Sequence, residues 1–438
     1  MMKKQNKVVI IGAASITWMP TFLSDLARTA SMSGGTIVLH DIDKEKQEII
    51  YKFALKLFKA KNVDMTLVVE PDIDRALIDA DFVVNTVLIG GHDIWTQDMN
   101  IILKYGIEHP KGMSVGPGGF GMGIKQIPFI VDLAKRMERI CPAAWLLNFS
   151  NPMQALTKAV LDNSSIKCIG LCHGVTGTIE RIAELTGVSE QDLFYKIGGV
   201  NHFEIITELR QGDVNLLPLV ADALEKEQRE KGGSGEIITV ENYRLFGSLQ
   251  CNEDIHGIEF WPHYIRKGSR LEDYEQKHNF IENRVRDRDE MWHKLDDYLN
   301  DRLPVLEIVD DYSTEKLELI IDGVTSNTPT YLYANVLNGS SIPNLDEDIC
   351  IEIPIVLFRD GFIPCAVGNM PQGFAQITNL HGSVQRYTVD AALNGSREDA
   401  LRALTMDPMC YSLTKEERER LIIELIESGK EYLPLFFD

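Results

Sequence analysis

The sequence predicts an α/β fold, in which a doubly wound parallel sheet is followed by a C-terminal α+β domain. Three observations carry that expectation. Residues 8–11 form an apolar, β-branched run without alternation, as in a strand buried on both faces, and the run stops at Gly12. Apolar runs then alternate with amphipathic stretches of helical period. Past about residue 195 the alternation ends and strand-like runs follow one another.

In chain order, residues 8–11 are the first strand, 18–29 a helix, 36–40 a second strand closed by Asp41, and 44–60 a long amphipathic helix. Strands are expected at 66–69 and 81–87, with a short helix at 73–78 between them. Residues 105–123 hold seven glycines and two prolines, Gly116-Pro117-Gly118-Gly119 among them, and read as a loop. A helix at 127–140, a strand at 145–148, a further helix and a strand at 168–172 complete a first domain of residues 1–195. In the second domain, 196–438, residues 197–209 read as a strand broken by Asn201-His202. Residues 225–235 read as a charged, glycine-rich surface loop and 271–303 as a long polar helix. Strands at 331–337, 349–358 and 362–367 and helices at 390–404 and 415–428 follow.

The formal charge of −21 argues against a nucleic-acid partner, which needs a basic face. Seven scattered cysteines, with no CxxC pair, read as the reduced thiols of a cytoplasmic enzyme. The apolar run behind the N-terminal lysines is too short for a signal peptide, and no stretch is long enough to cross a membrane.

The turn Gly12-Ala13-Ala14-Ser15-Ile16-Thr17 follows a strand and opens a helix. In a Rossmann-type sheet, backbone N–H groups and the helix dipole hold a pyrophosphate there. One of the three fingerprint glycines is present. Ala14 replaces the glycine that lets the phosphates approach, and Ser15 can add a hydroxyl donor. Asp41 stands where an acid binds the ribose hydroxyls and repels a 2′-phosphate, which favours NAD over NADP. Asn85-Thr86 ends the fourth strand on the cofactor side. The same residues also suit a plain βα turn and a solvated strand end.

Three segments end or break strands: Asn148-Phe149-Ser150-Asn151-Pro152, Cys172-His173-Gly174 and Gly199-Val200-Asn201-His202. Cys172 and His202 are candidate ligands for one divalent metal, with positions left for substrate oxygens. By spacing alone, a lone cysteine and a lone histidine are more often core residues than ligands. Asp254 and His256 are candidate acid or base groups, or members of an acidic surface loop.

Taken in order, these segments resemble glycoside hydrolase family 4: a strand–glycine–serine start, the Asn151-Pro152 turn, Cys172 at a strand end, and Asn201-His202 about thirty residues later. Phe246-Gly247, Asp254-Ile255-His256, Glu259-Phe260, Asn335-Val336, Ile342-Pro343-Asn344-Leu345 and Asp407-Pro408 extend the resemblance over nearly the whole chain. It implies a fold like that of lactate and malate dehydrogenases, with an added α+β domain for substrate, metal and oligomer contacts. It also implies NAD and a divalent metal, commonly Mn2+, in a homodimer or homotetramer. The implied reaction is glycoside hydrolysis by C3 oxidation, C2 deprotonation, elimination, water addition and re-reduction, outside the two-carboxylate scheme.

Residue by residue, the resemblance implies metal ligation by Cys172 and His202 and sugar contact by Asn151, with Asn201 beside it. Gly12, Ala14, Ser15, Asp41 and Asn85 are the cofactor candidates. His173 stands where members acting on phosphorylated sugars carry Asp or Asn, which points to an unphosphorylated substrate. His173, Asp254, His256 and Tyr243 are the catalytic candidates, Tyr243 for the family's tyrosine base with Tyr264 as the other option. Gly116-Pro117-Gly118-Gly119 is similar to the α-galacturonidase branch, while Cys172-His173-Gly174 is more typical of α-glucosidase and α-glucuronidase members. An α-galacturonide is therefore favoured, with an α-glucoside or α-glucuronide as alternatives. A uronate wants a cation, for which Arg244, Arg266 and Lys125 are candidates. The competing function is an NAD-dependent hydroxy-acid dehydrogenase, which uses a His-Asp relay and arginines and needs no Cys-His pair. A non-catalytic cofactor-sensing protein is the third reading.

Overall fold

A computed structural model of the chain describes residues 5–231, 236–261, 263–274, 276, 280–307 and 313–437. Six parallel strands form the first half of its sheet: β1 (Lys7–Ile11), β2 (Thr36–His40), β3 (Thr66–Val69), β4 (Phe82–Asn85), β5 (Trp145–Asn148) and β6 (Lys167–Gly170). They stand in the order β3-β2-β1-β4-β5-β6, the order of a Rossmann sheet. The order reverses between β1 and β4, which opens a crevice beyond their C-terminal ends. The central strands are covered on both faces, which is why β4 and β5 read as unbroken apolar runs. β3 is the sheet edge and is largely exposed.

The antiparallel strands continue the same sheet. They are β7 (Phe194–Val200), β8 (Phe203–Gln211), β9 (Val214–Asn215), β10 (Leu249–Gln250), β11 (Thr330–Leu337), β12 (Cys350–Phe358) and β13 (Gly361–Pro364). β11 pairs with β6, and the order runs on as β12, β7, β8 and β10. The register lays one row across five strands: Gly170 on β6 faces Asn335, Asn335 faces Glu352, Glu352 faces Gly199, and Gly199 faces Glu204 on β8. A side chain at Gly170 would put its Cβ 2.5 Å from Thr157 Oγ1, so only glycine lets the strand lie this close to the neighbouring helix.

Four expected elements differ. Residues 116–123 open the helix Gly116–Ile140 instead of forming a loop. A Cβ at Gly118 or Gly119 would come within 2.7 Å of the backbone of Gly112 or Ser114, so these glycines serve close packing, which overrides their poor helix propensity. Residues 225–231 belong to the helix Leu217–Lys231, while 232–235 lie outside the described residues. The long helix expected over 271–303 is a short turn, Leu271–Tyr274, and a helix, Phe280–Leu299; positions 275 and 277–279 lie outside the described residues. The helix expected at 390–404 is two, Gln372–Asn394 and Arg397–Met406, parted by Gly395 at φ 62°, a left-handed helix stop. Among the described residues no helix is long and apolar enough to cross a membrane.

Candidate active site

The C-terminal ends of β1, β4, β5 and β6 and the β7–β8 turn surround one cavity of about 220 Å3. Ser15, Asn151, Cys172, His173, His202 and His256 all line it. Six sequence-predicted residues from separate parts of the chain therefore meet in one space.

At the β1 end, Gly12 has φ 94°, a left-handed value that favours glycine. Its carbonyl accepts the Thr86 hydroxyl at 3.0 Å, and a Cβ there would lie 2.6 Å from Thr86 Oγ1. Asp41 turns back onto this bend. Its carboxylate accepts the Ala14 N–H at 2.7 Å and the Asp43 N–H at 2.9 Å, so it holds the turn's shape. The helix Met19–Arg28 starts just beyond, with no side chain capping its N-terminus. A tight turn feeding such a helix end fits a pyrophosphate. Asn85 is buried and donates to Asn148 Oδ1 at 2.9 Å, tying the ends of β4 and β5 together.

Cys172 and His202 reach the cavity from two kinds of chain. Cys172 follows the last parallel strand, and its Sγ accepts the Gly174 N–H at 3.4 Å. Burial, then the Glu352 and Glu204 carboxyls, push its thiol upward. His202 sits in the two-residue turn between β7 and β8 at φ 71°, an uncommon backbone for a histidine. The Ser114 hydroxyl lies 2.6 Å from its Nδ1, and its own N–H donates to Glu204 Oε1 at 2.9 Å. Burial holds the imidazole uncharged. A thiol and a neutral imidazole on one cavity are a donor set for a first-row divalent ion. Among the described residues no group of three or more His, Cys, Asp and Glu is arranged to hold a metal, so an ion here would take its further ligands elsewhere.

The row across the sheet lies behind this pair. Glu352 and Glu204 are buried side by side. Burial pushes Glu352 up to about 7 and, with Glu352 beside it, raises Glu204 as well. Glu352 Oε2 accepts from Asn201 at 3.0 Å and Asn335 at 2.9 Å, and Glu204 Oε2 accepts from Asn252 at 2.7 Å. Asn201 therefore stands behind the cavity wall, braced to this carboxyl, and does not line the cavity.

The His256 ring lies against His202 with centroids 4.1 Å apart and planes tilted by 36°, and Lys111 Nζ touches its Nε2. Burial, then His202 and Lys111, keep His256 uncharged, and burial lowers Lys111 to about 8. Lys111 is placed by Glu259, which accepts the backbone N–H of Lys111 at 2.9 Å and of Gly112 at 2.7 Å. His173 pairs with Glu315 at 2.8 Å, which raises its affinity for a proton.

Other expected site residues lie elsewhere. Asp254 spends both oxygens on the start of the helix Ile237–Phe246, accepting the N–H groups of Ile238 at 2.6 Å and Thr239 at 2.9 Å. It is a buried helix cap, away from the cavity. Tyr243 packs in the apolar cluster under β8, and Tyr264 donates to Glu241 at 2.8 Å; neither lines the cavity. The three cations expected for a uronate are also displaced. Arg244 is paired to Asp222 and Glu225 on the surface, Arg266 lies on an exposed turn, and Lys125 is buried against Asp98 at 2.9 Å. The cationic side chains that do line the cavity are Lys111 and Arg284. Sequence reasoning missed these two, together with Ser114, Glu204 and Glu352. One signal was available: Glu352 interrupts the apolar run Cys350–Phe358, where an acid needs a partner.

Two family models match the chain: family 4 glycosyl hydrolase over residues 7–188 and family 4 glycosyl hydrolase C-terminal domain over residues 197–410. An α-galactosidase of Bacillus subtilis (strain 168) is 28% identical over 406 residues, 92% of this chain and 93% of the relative. An α-galacturonidase of Lachnoclostridium phytofermentans is 28% identical over 455 residues, 98% and 97% of the two chains. A 6-phospho-α-glucosidase from gut microorganisms, solved in complex with NAD and Mn2+, superposes with a TM-score of 0.84 at 22% identity, covering 98% of this chain and 99% of that one.

Proposed function

The chain belongs to the family 4 glycosyl hydrolases, and we propose that it hydrolyses unphosphorylated α-glycosides, α-galacturonides foremost, with NAD and a divalent ion such as Mn2+. The observation that carries this reading is the single cavity gathering Ser15, Asn151, Cys172 and His202. Relatives named α-galactosidase and α-galacturonidase share the galacto configuration and differ at C6, hydroxymethyl against carboxylate. Lys111 and Arg284 on the cavity wall favour the carboxylate.

The neighbour holding NAD and Mn2+ supports the same pair here, with the Gly12 turn for the dinucleotide and Cys172 and His202 for the ion. When bound, the two supply a reversible hydride acceptor for C3 and a Lewis acid for the oxygens beside it. Ser114 at Nδ1 reserves the other ring nitrogen of His202 for the ion. Asn151 orients the sugar hydroxyls. The base for the C2 proton is drawn from the His256–Lys111 pair, in contact at Nε2 and Nζ, and His173, held by Glu315, donates the proton that the leaving oxygen needs.

The test is turnover of a nitrophenyl α-glycoside panel with Mn2+, catalytic NAD and a reducing agent. Release of nitrophenol from the α-galacturonide without net NADH is expected. Stoichiometric NADH from a hydroxy acid, with no glycoside cleaved, would overturn the reading.

A further inference from the structure

A second cavity, of about 450 Å3, adjoins the candidate active site and falls in the size range of small-ligand pockets. Lys111, His173, Asn252 and His256 line both cavities and form the wall between them. The far walls come from the helices Gly174–Thr186 and Leu217–Lys231 and the strand Leu249–Gln250. A sugar held by Asn151, Cys172 and His202 has this space beside it, past His173 and His256.

Three observations describe what it would take. Gln250, on its wall, is buried, and both Nε2 and Oε1 of its amide have no hydrogen-bond partner. A hydroxyl group, at once donor and acceptor, would answer such an amide once a side-chain rotation turned it from Gly257, against which it packs. Gly177 lies inside the helix Gly174–Thr186, and a Cβ there would meet nothing within 4 Å. Glycine in mid-helix costs stability relative to alanine, so open space is kept at some expense to the helix. The charge leans negative: Glu180, Glu184 and Glu253 line the walls, against Lys111 on the shared wall and Arg181, which is already paired with Glu184 at 3.3 Å and with Glu227. An anion would be brought up against like charge there, and a neutral molecule would not.

Building on the proposed glycosidase reading, we infer that this cavity receives the leaving group and selects a neutral, hydroxyl-rich aglycone such as a second hexose. Arg284 and Lys111 would read the acid of the cleaved sugar, while the adjoining carboxylates turn away an acidic aglycone.

The experiment compares kcat and KM for methyl α-galacturonide, an α-galacturonosyl hexose and digalacturonate, with Mn2+ and NAD present. The neutral disaccharide is expected to exceed digalacturonate in kcat/KM by about tenfold, carried by KM. Glu180→Gln with Glu184→Gln should close that gap. Gly177→Phe should raise KM for the disaccharide about tenfold and leave the methyl glycoside within about twofold; a thermal melt checks that the variant folds. Equal cleavage of the acidic and neutral disaccharides, or equal loss on both substrates in Gly177→Phe, would overturn the inference. The same three aglycones are tested as α-galactosides. If only galactosides turn over, the uronate reading fails, and the aglycone comparison is read in that series.

Discussion

Cys172 and His202 face one cavity, yet their surroundings are built differently. Cys172 follows a parallel strand, and its Sγ takes the backbone N–H of Gly174 with one side chain, Asn201, beside it. His202 occupies a tight antiparallel turn at positive φ and leans on two side chains, Ser114 and Glu204. The Cys172 position is set by the ordinary geometry of a strand leading into a helix. The His202 position depends on groups more distant in the chain: the helix region from 114 and, through Glu204, the Glu352 carboxyl on β12. A ligand pair can thus be half scaffold and half network, and substitutions should tell the halves apart.

The largest effect is expected at the pair itself. Cys172→Ser and His202→Ala should each lower kcat/KM about 10³-fold, the scale of losing a Lewis acid's transition-state contribution. Mn2+ affinity, read by calorimetry, should fall in parallel; normal metal binding in Cys172→Ser would remove the thiol from the site. Next comes the support of His202. Ser114→Ala should weaken Mn2+ affinity about 10–100-fold and leave the fold intact. An unchanged affinity would erase the contrast between the two halves. The smallest effect tests a residue outside the cavity. Asp254→Ala should cost about 1–2 kcal/mol in a denaturant melt, the range for a lost helix cap, with kcat held. A large loss of kcat at full stability would return Asp254 to the reaction.

Much of this was legible locally. β5 and the helix Lys415–Ser428 lie where periodicity sets them, and Asn151, Cys172 and His202 fall at strand ends or turns that glycine, proline and apolar runs announce. Asp254 misled because an acid two residues before a histidine looks like chemistry, whereas its partners Ile238 and Thr239 lie 15 or 16 positions upstream. The glycines at 116–123 misled in the opposite sense. They are helical because Asp407 and His109 take up the first N–H groups and the backbone of 112–114 presses against them.

By itself, then, the sequence determined the parallel sheet, the turn at Gly12 and the chain ends that carry Asn151, Cys172 and His202. These follow from side-chain period and backbone preference, which act over a few residues. Tertiary structure alone decided that β11 and β12 lie between β6 and β7, and so that Asn335 and Glu352 stand behind the two candidate ligands. It also decided that Lys111 and Arg284 supply the cavity's charge, while Arg244, Arg266 and Lys125 are engaged elsewhere. Strand pairing and burial join residues over a hundred positions apart, and the strength of a charge or hydrogen bond there depends on the low-dielectric surroundings that only the assembled fold creates.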